Sequence, residues 1–349
     1  PDTRQGLGQL AGAWRGRFPI PLLAVTGSNG KTTVKELLAA IFSPLAPTLV
    51  TAGNLNNDIG VPLTLFGLGS EHRFGVVEMG ANHAGEIAAL ARLVLPDVAV
   101  ITQCAPAHLE GFGSVEGVAR AKAEIYAGLG AAGTAVINAD DAYAEFWRSC
   151  CRGRHQISFG LRPGADISAT QVTNHGGTMN FVLTTRDAAQ PVRLPLFGAH
   201  NVMNALAAAA CASALGIPLM RIVAGLEGVH AVKGRLQLKP GRNAARVLDD
   251  TYNANPSSLS AALAVLEAMP GRRWLVLGDM GELGDSAPNL HLRAGENARL
   301  AGVERLFALG TLSRFAVQAF GAGASHFTSA ADLVADLRPA LAADITVLV

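Results

Sequence analysis

The stretch IPLLAVTGSNGKTT, residues 20 to 33, limits the fold more than any other part of this chain. Its first seven residues read as a buried strand, and KTTVKELLAAIF, from Lys31, follows at helical period. Gly27, Ser28, Asn29 and Gly30 join the two, so a flexible backbone leads into the exposed N–H groups of a helix start. Lys31 adds a positive charge, and Thr32 and Thr33 add hydroxyls. Backbone amides, a cation and a hydroxyl at one helix start suit phosphate oxygens and a magnesium ion. The pattern departs from the strict phosphate loop at Val25, six residues before Lys31, where glycine is usual. An ordinary glycine-rich helix cap would explain Gly27 and Gly30 but not the whole Gly-Lys-Thr-Thr arrangement.

The remaining strands decide the setting. FGVVEM, VAVITQ and TAVINA are further strand-like runs, each separated by turns or helical patterns, which favours a largely parallel sheet covered on both faces. HQISFG, DISATQVT, TMNFVLTT and QPVRLPL alternate over short distances, as an antiparallel edge or a subsidiary sheet would. The alanine-rich segment from Asn201 returns to helix. A second unit begins near Gly234, its strands RVLDDTY, RWLVLGDM, RLFALG, SHFTS and ITVLV alternating with helices. The expected architecture is α/β: a central domain over 1–233 with a mostly parallel sheet of phosphate-loop type and subsidiary antiparallel strands, then a Rossmann-like domain over 234–349. A length of 349 residues fits two domains at roughly 100–200 residues each. No G-x-G-x-x-G loop follows the first strand of the second domain, so its fold alone does not imply nicotinamide chemistry.

Composition excludes several classes of function. Twenty-eight Lys and Arg residues against 27 Asp and Glu give a net charge of +1, without the field that gathers nucleic acid or anionic lipid. Cys104, Cys150, Cys151 and Cys211 have neither metal-site spacing nor the density of a disulfide framework, which points to a reducing cytosol. No apolar run approaches the roughly 20 residues that span a bilayer, and the start of the chain lacks a secretory pattern. We expect a cytoplasmic monomer that neither binds nucleic acid nor inserts into a membrane. The chain begins at Pro1 and not at a methionine.

Two further residues, Glu78 and His108, are candidates for the phosphate environment. Glu78 ends FGVVEM, and ligands in open α/β sheets bind beyond the carboxyl ends of strands. His108 follows VAVITQ after a short loop, in AHLEGFGS. With the Thr32 hydroxyl, both could serve a magnesium and phosphate site, the plainer alternatives being a helix cap for Glu78 and a loop-orienting role for His108. Lys122, in RAKAEIY, is placed near the start of a helix, where a solvated or ion-paired lysine is the plain reading.

Taken in order, TGSNGKTT, EMGANHAGEI, AHLEGFGS, AKAEI, FGAHNVMNALAA, VKGRLQ, DDTYNANPSS and LGDMGELG closely resemble the Mur ligase family. These signatures run from Val25 to Leu283 and are far more specific together than the phosphate loop alone. The resemblance implies an ATP-dependent ligation in the synthesis of the peptidoglycan precursor. A carboxylate of UDP-N-acetylmuramoyl-tripeptide takes the γ-phosphoryl group of ATP, and the amine of D-alanyl-D-alanine attacks the resulting acyl phosphate. It puts Lys31 on the β and γ phosphates, within a loop of Gly27, Ser28, Asn29, Gly30, Thr32 and Thr33. Thr32 is placed on a magnesium ion, and Glu78, His108 and a carbamylated Lys122 around the metal. His200, Asn201 and Asn204 are implied at adenine, Arg235 at the phosphates, and Asp250 at the ribose or in orienting the interdomain site. Lys31, His108, Lys122 and Arg235 are the implied catalytic group. Thr251 stands where the family usually has serine and keeps a hydroxyl.

The resemblance also implies an N-terminal substrate domain before residue 1, with residues 1–20 as its connector, and a continuation beyond ITVLV. Closure of the domains is implied to keep water from the acyl phosphate. Two alternatives stay open: a family member that adds a single amino acid, and a catalytically incomplete nucleotide-binding fragment.

Overall fold

Strand β1 (Leu22–Thr26) is buried along its whole length, as a strand covered by helices on both faces must be. The computed structural model describes residues 2–349; Pro1, where the expected connector would begin, lies outside the described residues. The chain divides into two units, one running to Ala105 and resuming over Gly111–His230, the other made of Ala231–Val349 and the short segment Pro106–Glu110.

The first unit is built on one nine-stranded sheet. Its strands after β1 are β2 (Thr48–Val50), β3 (Phe74–Glu78), β4 (Val98–Ile101), β5 (Thr134–Asn138), β6 (His155–Gly160), β7 (Ile167–His175), β8 (Thr178–Thr184) and β9 (Ala189–Leu194). The order is β2-β3-β1-β4-β5-β6-β7-β8-β9. β1 therefore lies between β3 and β4, with Val25 opposite Glu78 and Thr26 opposite Ile101. At that point successive connections leave toward opposite sides, which opens a crevice at the carboxyl ends of the strands. The helix Lys31–Phe42 and the alanine-rich helix Ala199–Ala214 pack together on one face. Alanine lets them approach closely, and Ala205 to Ala212 are all buried.

The subsidiary strands differ from expectation in one respect. HQISFG is β6 and pairs in parallel with β5 over its first five residues, so it extends the main sheet. Only β7, β8 and β9 form the antiparallel part, and β7 first runs parallel to β6 for two residues. Short alternating strands look alike from sequence in either direction, because alternation reports only which face is buried.

The second unit holds a six-stranded sheet in the order β10-β11-β15-β12-β13-β14. These are β10 (Gln237–Pro240), β11 (Arg246–Asp249), β12 (Arg272–Leu277), β13 (Arg305–Leu309), β14 (Ala324–Phe327) and β15 (Ile345–Leu348). All pairings are parallel except β10 with β11. β10 is an edge strand that sequence reading passed over, and β11 stops at Asp249, which leaves Asp250–Tyr252 in the loop beyond it. The helix Pro256–Glu267 starts with a capping box between Asn255 and Ser258, with proline at its first turn. Lys122 also needs correction, since it lies near the end of the helix Val115–Ala123 and not at its start.

Candidate active site

The loop after β1 is fastened mainly to the loop after β4. Ser28 N–H donates to Gln103 O at 2.9 Å, and Ser28 Oγ both donates to Ala105 O and accepts from Ala105 N–H, each at 3.0 Å. Thr102 Oγ1 donates to Asn29 O at 2.5 Å. Behind Thr102, Asn138 Nδ2 donates to Thr102 O at 2.8 Å, and Asp141 accepts Cys104 N–H at 2.7 Å. Gly27 and Gly30 have φ of 148° and 82°, values that favour glycine, and a side chain at either would overlap Thr102 or Asn204. The result is a fixed turn opening directly into the helix Lys31–Phe42, with its first-turn amides available.

Lys31 curls over this turn, its Nζ donating to Gly27 O at 2.8 Å and Ser28 O at 3.3 Å. Thr32 and Thr33 are half-buried in the same helix turn. Next to Gly30, Asn204 Nδ2 donates to Asn201 Oδ1 at 2.9 Å, and Asn201 Nδ2 donates to Phe197 O at 2.7 Å. These two amides brace the start of the alanine-rich helix, with Asn204 set close against Gly30 of the loop. Burial lowers the His200 pKa to about 4, so its imidazole is neutral at pH 7.

Glu78 ends β3 with 2% of its surface exposed. Its Oε1 accepts from Asn56 Nδ2 at 2.8 Å, while Oε2 is buried without a hydrogen-bond partner. A bare, buried carboxylate oxygen is costly unless something positive meets it. Lys122 is 1% exposed, with Nζ 5.4 Å from the centre of the Phe112 ring. Burial first, and then the positive charge of Lys31, bring its pKa down to about 7, so much of it is neutral amine near neutral pH. Cys104 nearby stays a thiol, raised to about 12 by burial and by Asp141.

The other candidates belong to the second unit. Arg235 places its guanidinium 4.0 Å from the centre of the Tyr252 ring. Asp250 accepts Leu236 N–H at 3.1 Å, and burial raises its pKa to about 6 despite that bond and the charge of Arg235. Its neighbour Asp249 goes the other way: burial would raise it, but Lys239 and Thr251 outweigh burial and lower it. His108, on the segment Pro106–Glu110, has φ of 52° and pairs through Nδ1 with the Glu282 carboxylate. Asp279 accepts the N–H groups of Thr311, Leu312 and Ser313 at 2.7–2.9 Å.

Lys31, the Gly27–Gly30 turn, Asn201 and Asn204 thus form one connected group, and Arg235, Asp250 and Tyr252 another. Among the described residues no three His, Cys, Asp or Glu side chains cluster as a metal cage. Magnesium does not require one, since it keeps several waters and is held by one or two protein oxygens together with substrate phosphates. The open Oε2 of Glu78 and the phosphate-loop turn fit such an ion and a nucleotide triphosphate. Sequence reading missed Thr102, Asn56, Asn138 and Asp141, which hold the loops in place. The asparagine-rich NLNND, residues 54 to 58, was the one visible signal among them.

Comparison with known proteins covers both units. The family signature described as Mur ligase middle domain matches residues 25–212, and that described as Mur ligase, glutamate ligase domain matches residues 234–349. The UDP-N-acetylmuramoyl-tripeptide--D-alanyl-D-alanine ligase of Escherichia coli (strain K12) is 45% identical over 353 aligned positions, spanning 100% of this chain and 77% of that protein. The crystal structure of MurF from Acinetobacter baumannii superposes with a TM-score of 0.94 at 40% identity, over 99% of this chain and 77% of that one. MurF ligase from Thermotoga maritima in complex with ADP gives a TM-score of 0.90 at 26% identity, over 99% of this chain and 80% of that one.

Proposed function

This chain belongs to the Mur ligase family, and from that premise we infer that it is an ATP-dependent, ADP-forming amide ligase joining D-alanyl-D-alanine to UDP-N-acetylmuramoyl-tripeptide. The observation that carries this reading is the continuous likeness of both units to the E. coli ligase of that specificity. The carboxylate of the tripeptide takes the γ-phosphoryl group and ADP leaves. The neutral amine of the dipeptide then attacks the acyl carbon, phosphate leaves, and the amine proton is released.

The first step brings two anions together, and the residues answer that problem. The amides of Gly27 to Lys31 and the Lys31 ammonium hold the terminal phosphates and stabilise charge as it develops. Thr32 and Glu78, with His108 and carbamylated Lys122, hold magnesium, which supplies further charge neutralisation when bound. His200, Asn201 and Asn204 shape the adenine side, Arg235 meets the phosphates, and Asp250 meets the ribose. Lys122 suits carbamylation because a buried amine with a substantial neutral fraction can add to carbon dioxide with loss of one proton. Lys31 is then a cation able to balance the carbamate.

The reading extends to a cytoplasmic monomer working without nucleic acid or membrane insertion. No helix among the described residues is long and apolar enough to cross a membrane.

The test is a product assay with ATP, magnesium, UDP-N-acetylmuramoyl-tripeptide and either D-alanyl-D-alanine or single amino acids. The expected product carries both alanines and appears with one ADP. Extension by single amino acids only, or nucleotide binding with no product, would overturn this reading. For Lys122, labelling with 13C-bicarbonate should give a carbamate resonance that Lys122→Arg abolishes.

A further inference from the structure

Glu78 offers one carboxylate oxygen and keeps the other occupied, and something must determine which is which. Both oxygens are chemically equal, so the choice lies in the surroundings. The geometry points to Asn56 as the positioning residue: held on a loop clamped by Lys35, it occupies Glu78 Oε1 and leaves Oε2 as the one acceptor open to a divalent cation. This rests on the reading of Glu78 as a magnesium ligand given above.

The loop is anchored at both ends. Asn56 donates from Nδ2 to Glu78 Oε1 at 2.8 Å, and its backbone O accepts Gly80 N–H at 2.8 Å, so it grips the strand end on both sides of Met79. A side chain on Gly80 would come within 2.9 Å of Asn56 Oδ1, so the missing Cβ gives the amide its room. Thr51 begins the loop, accepting Glu78 N–H on Oγ1 at 3.0 Å and donating its own N–H to Val76 O at 3.0 Å.

Lys35 supplies the clamp. It is 1% exposed, and its Nζ donates to Thr51 O at 2.9 Å and Gly53 O at 3.5 Å, with the Glu36 carboxylate at 2.9 Å. A buried ammonium requires such partners, and here most of them are backbone carbonyls of a single loop. Lys35 lies one turn beyond Lys31 on the same helix. One rigid helix therefore carries both Thr32 and the clamp that sets the Glu78 loop. An amide also suits the task chemically. Its N–H₂ can only donate, a carboxylate can only accept, and the pair fixes the Glu78 rotamer without adding charge. Partners behind a metal ligand usually matter to affinity by about 10- to 100-fold.

The experiment titrates Mn2+ into the full chain, following free Mn2+ by electron paramagnetic resonance, with ADP affinity in EDTA and Tm measured alongside. Asn56→Ala should raise the Mn2+ Kd about tenfold or more, leave ADP binding in EDTA within twofold, and restore most ligase activity at high magnesium. Asn56→Ser, too short to reach Glu78, should do the same and decides the matter if the alanine variant does not fold. Unchanged Mn2+ affinity in a folded Asn56 variant overturns the inference, because a purely structural loop residue would change Tm alone. Glu78→Ala separates the two claims: if it too leaves Mn2+ affinity unchanged, the metal reading of Glu78 fails; if it weakens binding while the Asn56 variants do not, only the role of Asn56 fails.

Discussion

The two units hold their candidate residues by different means. In the first, short buried side chains stitch the phosphate loop to backbone groups of its neighbours: Ser28 to Gln103 and Ala105, Thr102 to Asn29, and Asn138 behind Thr102. In the second, two of the candidates rest on side chains nearer solvent: Arg235 on a Tyr252 ring that is 49% exposed, and His108 on an exposed Glu282. Buried stitching of this kind keeps donors fixed before any ligand arrives, which suits the proposed role of meeting developing phosphoryl charge without reorganising. Side-chain contacts near solvent adjust at little cost and suit binding more than rate acceleration. The comparison therefore teaches where losses should appear: in kcat for the first unit, and in KM for the second.

The largest effect tests the first half of that contrast. Lys31→Ala should lower kcat at saturating ATP by about 1,000-fold, roughly 4 kcal/mol of transition-state stabilisation. Tm should move little, since the Lys31 side chain meets carbonyls of its own loop that water can satisfy. ADP release under saturating substrates measures it. A loss of less than tenfold would break the contrast at its stronger end.

Much of this first-unit site was legible in the sequence. The strand, the glycine turn and Lys31–Phe42 are local, and local patterns survive folding when every neighbour agrees with them. What was illegible depends on long-range pairing. Asn56 meets Glu78 across 22 residues, and no spacing rule points from one to the other. β6 was placed among antiparallel strands because alternation is blind to direction. The helix Thr3–Arg15 contains Gly6, Gly8 and Gly12, a composition that argues against helix. It forms nonetheless, with Gly8 and Gly12 close against Leu93, where a Cβ at Gly8 would come within 3.3 Å of that side chain. In the second unit, Arg235 and Asp250 drew attention only through the family resemblance, because a lone arginine and a paired aspartate have no distinctive pattern.

A smaller effect tests the second half. Tyr252→Leu removes the ring under Arg235 and should raise the KM for ATP by about 3- to 10-fold, as expected for a partly exposed cation–π contact, with kcat changed less than KM. Tyr252→Phe keeps the ring and should remain within about twofold of the parent, which separates the stack from any role of the hydroxyl. If the leucine variant lost kcat and kept its KM, the second unit would share the rate-determining function of the first.

The smallest effect is on stability, and its sign follows from Asp250. Its folded pKa is raised to about 6 from an ordinary value of 3.8, chiefly by burial. Below pH 3.8 the carboxyl is protonated whether the chain is folded or not, and the group exerts no pH-dependent penalty. As pH rises from there toward 6, the unfolded chain sheds its proton more readily than the folded one, so stability falls across that window and levels off above it. Asp250→Asn carries no such titration, and its amide oxygen can still accept the Leu236 N–H. The variant should thus gain on the parent between pH 4 and pH 7. Solvent screening of this partly exposed site limits the gain to about 1 kcal/mol, or about 3 °C in Tm. Thermal unfolding of both proteins across that range measures it. A Tm difference that stays constant with pH would mean that Asp250 is charged throughout and held by Arg235, making the second unit's site as electrostatically fixed as the first.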